Sequence, residues 1–115
     1  MGKSRIIQIF DQDGKFLAEW KQFGSPSGIF IDRHDVIYVS DSQSESTDPM
    51  AERYNAGFEH GVRIGSAKDG KVTAYIPMPL PPNGDNAPEG IAADRMGNVY
   101  IADTIVQGAW KYVKK

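Results

Sequence analysis

Short apolar runs, rich in β-branched and aromatic residues, alternate along this chain with polar, glycine-bearing punctuation. Asp13-Gly14, Asp69-Gly70, Met96-Gly97-Asn98 and His34-Asp35 stand between such runs, and each is hairpin-turn chemistry. No stretch of useful length keeps a helical period. The pattern predicts strands at 5–10, 15–20, 28–32, 36–40, 61–66, 71–76, 89–93, 98–102 and 108–113.

The same pattern repeats. Pro26-Ser27-Gly28-Ile29-Phe30-Ile31-Asp32-Arg33 returns as Pro88-Glu89-Gly90-Ile91-Ala92-Ala93-Asp94-Arg95. At the same offset, Val36-Ile37-Tyr38-Val39-Ser40-Asp41 matches Asn98-Val99-Tyr100-Ile101-Ala102-Asp103. A second pair, Asp13-Gly14-Lys15-Phe16 and Asp69-Gly70-Lys71-Val72, follows the same logic. A radial repeat of short antiparallel strands is the signature of a β-propeller. With the strands of a blade lettered a to d, the chain reads c-d, then a-b-c-d, then a-b-c. The expectation is a single all-β segment, a partial β-propeller of about two four-stranded antiparallel blades. It comprises a half blade at 5–20, a full blade at 26–76 with an insertion at 42–60, and a partial blade at 88–113.

These residues resemble NHL repeats. The resemblance rests on Pro-x-Gly-Ile-x-x-Asp at 26–32 and 88–94, on Tyr38 to Asp41 and Tyr100 to Asp103, and on Arg5-Ile6 through Phe10-Asp11, Gly14-Lys15-Phe16-Leu17 and Trp20. The closing Lys111-Tyr112-Val113-Lys114-Lys115 is similar to the last strand of bacterial six-bladed NHL proteins of the peptidyl-amidoglycolate lyase kind, and the match looks like the C-terminal third of such a protein. The sequence departs from the pattern in lacking an Asn-Arg dipeptide after Asp41 and Asp103.

Composition narrows the chemistry. A formal charge of −2 supplies no basic field for a phosphate backbone, so no nucleic-acid partner is expected. With no cysteine, disulfides and thiolate metal sites are excluded. No apolar run approaches membrane-spanning length and no signal-peptide core follows Lys3, which gives a soluble chain, cytoplasmic by default.

Strand alternation gathers the long connections, 42–60 and the proline-rich 77–87, on one face, where binding residues usually collect. Ser27 and Glu89, inside the two Pro-x-Gly motifs, point toward the propeller axis there. In gluconolactonase-like propellers, a more distant resemblance, that position implies oxygen ligands to calcium or another divalent ion. In the lyase relatives it implies a zinc-bound histidine, and this chain has histidine only at His34 and His60. Glu89 is therefore the candidate metal ligand, for calcium or zinc, and with His60 a candidate catalytic group. Asp41 and Asp103 end strands on the same face, either as ligands or as Asx turns. Tyr54, His60 and Arg63 surround the insertion and complete the candidate ligand-binding set. Arg63 reads equally as an anion partner and as a cross-strand ion pair.

Three functional readings follow. One is a self-assembling module that binds a small ligand, ion or partner on its loop-rich face. Another is a metal-dependent hydrolase or lyase; a gene fragment without selected activity is the third. Strand counting predicts a homo-oligomer. Head-to-tail docking of 88–103 onto 5–20 gives each chain two blades, so a trimer is favoured and a dimer comes next, with the ninth strand competing for the place of 5–10.

Overall fold

The computed structural model describes residues 5–78 and 87–115, so most of the proline-rich connection 77–87 lies outside the described residues. Among the described residues nine strands form and there is no helix. They are β1 (Ile7–Phe10), β2 (Phe16–Trp20), β3 (Pro26–Ile31), β4 (Val36–Asp41), β5 (Gly61–Ser66), β6 (Val72–Pro77), β7 (Pro88–Ala93), β8 (Val99–Asp103) and β9 (Gly108–Tyr112). Every pairing between these strands is antiparallel, in three sheets ordered β1-β2, β3-β4-β5-β6 and β7-β8-β9. This is the c-d, a-b-c-d, a-b-c reading of the sequence, and the fold is a partial β-propeller.

One device closes the turns at the end opposite the insertion. Asp32 Oδ1 accepts the amides of His34 and Val36, and Asp94 Oδ1 accepts those of Met96 and Asn98. Asp11 does the same for Asp13 and Lys15. Each turn needs a left-handed residue before it rejoins the strand, supplied by Gly14, Asp35 and Gly97 at φ 85°, 61° and 85°. The repeated Asp-Arg pair is thus explained by its aspartate, which holds the turn.

The sheets stack face on face. Ile37 and Val39 turn one way onto Phe23, Ile7 and Trp20, while Tyr38 and Val62 turn the other way onto Val99 and Ile101. The middle sheet is therefore covered on both sides. Its second strand, Val36-Ile37-Tyr38-Val39, is apolar on both faces, as a doubly covered strand must be. The equivalent strand of the last sheet, Val99-Tyr100-Ile101-Ala102-Asp103, alternates buried and exposed because only one of its faces has a neighbour.

Candidate functional site

At the loop-rich end the two Pro-x-Gly motifs bring β3 and β7 into close contact. Ser27 Oγ donates to the Pro88 carbonyl at 2.9 Å, and Ser40 Oγ donates to the Glu89 carbonyl at 2.6 Å. A methyl group on Gly28 would run into the Glu89 carbonyl and lie 2.8 Å from Ser40 Oγ, so this position admits only glycine. Ser27, a candidate ligand residue, spends its hydroxyl on this clamp, with a further bond to the Ser40 carbonyl at 3.1 Å.

Asp41 lies at the end of β4, fully buried. Its Oδ1 accepts the amides of Gln43 and Ser44, and its Oδ2 accepts the Ser25 amide and Arg63 Nη1 at 3.1 Å each. Arg63 is itself buried. Its Nη2 donates to the Glu59 carbonyl at 2.8 Å, and its guanidinium lies 4.8 Å from the Phe58 ring centre and 5.0 Å from that of Tyr75. The two charges neutralise each other inside the sheet, and the arginine fastens the end of the insertion to the blade. Gly24, in the left-handed region at φ 79°, leaves room for the pair: a side chain there would strike Asp41 Oδ2 and Arg63 Nη1.

The last sheet repeats the aspartate with a different partner. Asp103 Oδ1 accepts the amides of Ala87, Ile105 and Val106, and its Oδ2 accepts Trp110 Nε1–H at 3.1 Å. Trp110 stands opposite Ile101 in the ladder as Arg63 stands opposite Val39. The same strand position thus gives a cation in one sheet and a neutral donor in the next. No family model matches this sequence, and no curated protein does either. Function must be read from the chain's own geometry.

The insertion folds upon itself. A parallel bridge joins Glu45 to Tyr54, with the Asn55 amide donating to the Glu45 carbonyl at 2.7 Å. Asn55 Nδ2 donates to Ser44 Oγ at 3.0 Å, and the Glu59 carboxylate accepts both the amide and the hydroxyl of Ser46, closing the loop at its base. The insertion, rich in Ser, Asp and Glu, is thus a compact loop braced by its own polar side chains. Tyr54 is half-buried in it. His60 sits at its exit with Nε2 buried and without a hydrogen-bond partner among the described residues, while its carbonyl accepts Tyr75 Oη at 2.8 Å. Burial pushes the Tyr75 phenol up, with Arg63 acting in the opposite sense.

Glu89 is half-buried on β7. No hydrogen bond joins its carboxylate, Tyr54 and the His60 ring to one another among the described residues. Nor do those residues contain a group of three or more His, Asp or Glu side chains placed to hold a metal ion. What the site assembles is the Asp41–Arg63 pair with its aromatic flanks, and the Ser27–Ser40 clamp. Sequence reasoning missed Ser40, Gly24, Phe58 and Tyr75. The Ser-Asp and Ala-Asp endings of the repeat were the available signal for Ser40. Gly24 and Tyr75 meet the pair from other segments, and Phe58, though near Arg63 in sequence, sits in a loop without a period, so none of the three leaves a local mark.

Proposed function

We propose that this chain is an NHL-type β-propeller module for interaction. It associates with further sheets through the uncovered faces of its first and last sheets, and offers its loop-rich end to a small ligand, ion or partner. The unequal covering of equivalent positions in the repeats carries the reading. Tyr38 is 5% exposed because the last sheet covers it, whereas its equivalent Tyr100 is 38% exposed on a face without a neighbour. Ile91 packs between sheets, while its equivalent Ile29 is 48% exposed beside the short first sheet. Gly28 is pressed against Glu89, yet the same methyl on Gly90 would meet only Ala102, at an ordinary 3.6 Å. Each contact built between the second and third sheets is thus present in half-form at both ends.

Head-to-tail association would bring the Tyr100 face of one copy to the Ile29 face of the next. A closed trimer requires β9 to yield its place beside β8 to β1 of the neighbour; a dimer is the next arrangement in line. Light scattering at micromolar concentration is expected to show an oligomer that Tyr100→Glu and Ile29→Glu each reduce to single chains. A native chain that scatters as a monomer ends the assembly reading. For the loop-rich end, calcium or zinc is expected to raise the melting temperature of the native chain and not that of Glu89→Gln. Equal shifts, or none, remove the ion.

A further inference from the structure

Among the described residues the third sheet has three strands where the second has four: β5 pairs with β4 on one side and β6 on the other, while β9 pairs with β8 alone. The two strands are equivalent in register, since Asp41 faces Gly61 as Asp103 faces Gly108. Beside the free edge of β9 a cleft of about 540 Å³ opens between the second and third sheets. Its walls include Ile64 and Ile76 from one sheet and Val99 and Tyr112 from the other, with the exposed Ala74 and Val113 at its mouth. The outer edge of β9, unpaired among the described residues, thus lies beside a cleft that is apolar along the strands and polar at its turn end, where Asp32, Asp94 and Arg95 stand, and such an edge binds a strand by extending the sheet.

Charge says what kind of strand. Lys111 faces outward with its Nζ 5.5 Å from the Tyr100 ring centre, and Lys114 and Lys115 follow on the same segment. None of the three forms an ion pair among the described residues. A second copy of β9, antiparallel and fully overlapped, would set each Lys111 opposite Ala109 and diagonally beside the other Lys111 on the same face, which brings like charges together. The β1 edge of another copy, running antiparallel, would bring Arg5 toward Lys114. Among the other free edges, β6 ends in Pro77, which cannot donate to a ladder.

We infer that the β9 edge and its cleft accept an extended peptide strand with apolar side chains facing inward, opposite Trp110 and Tyr112, and an acidic side chain facing outward, opposite Lys111. In the second sheet the residue opposite Arg63 is Tyr75, which lies over it; an apolar side chain opposite Trp110 takes the corresponding place. The inference does not rest on association between copies, since it uses an edge present in a single chain.

The test uses the full chain, diluted until light scattering shows one chain per particle, and two labelled peptides with capped ends. One alternates valine with glutamate and the other valine with lysine. Fluorescence anisotropy is expected to show binding of the glutamate peptide alone. Lys111→Glu should weaken it at least tenfold and let the lysine peptide bind in its place. Ala74→Trp, an exposed substitution that fills the cleft mouth, should abolish binding of either. Failure of the glutamate peptide to bind, equal binding of both peptides, or indifference to Lys111→Glu overturns the inference. Loss of self-association with peptide binding intact bears on the assembly reading alone.

Discussion

Asp41 and Arg63 are one charge pair buried to 0% and 7% side-chain exposure, and removing either member strands the other. Breaking such a pair costs about 3–5 kcal/mol, whereas replacing both members is far milder. Arg63→Met and Asp41→Asn are each expected to fall in that range by urea denaturation, and the double variant to lose clearly less than their sum. Additive losses would mean that the pair is not coupled. In the last sheet, Trp110→Phe removes a neutral donor from Asp103, with an expected loss of about 1–3 kcal/mol. The two aspartates were legible in the sequence as strand-ending repeats. Arg63 was legible as an ion-pairing residue, though Asp41 was not singled out as its partner; Trp110 was not legible as a partner of Asp103, because arginine and tryptophan at one structural position share only an N–H aimed at an acceptor.

The nine strands were the most legible elements, for a physical reason. Alternation and turn chemistry act within a few residues, the repeat at one constant offset confirms them, and tertiary contacts then reinforce the same choice. β3 and β7 begin earlier than the pattern implied, since their prolines already pair with Asp41 and Asp103. The insertion was least legible. It occurs once, carries no period, and is held by particular polar side chains rather than by an apolar stripe. Glu59 closes its base through Ser46, and nothing in their spacing announces the pair. Losing a hydrogen bond worth about 1 kcal/mol should raise local opening about fivefold. Tryptic cleavage after the exposed Arg53 is therefore expected to accelerate by roughly that factor in Glu59→Ala. Unchanged cleavage would show that the Glu45–Tyr54 bridge alone holds the loop.

As a whole the described chain is a slab of 46 × 38 × 22 Å with a radius of gyration of 14.4 Å, against about 13 Å for a compact domain of this length. The slab has a protected middle and two half-covered ends. Stability in stacked repeats is close to a sum of each unit and its interfaces, so the middle sheet, with two interfaces, should open last. Hydrogen exchange is expected to be slowest in β4, whose residues from Ile37 onward are all buried.

That gradient has an optical consequence. The chain has two tryptophans, Trp20 on β2 and Trp110 on β9, and the middle sheet has none. Indole emission therefore watches the two ends and is blind to the centre. A denaturation followed by emission should finish at lower urea than one followed by far-ultraviolet dichroism, which sees all three sheets. A single-probe experiment would take fraying of the ends for loss of the fold. Two superimposed curves would instead show that the ends and the middle melt as one unit.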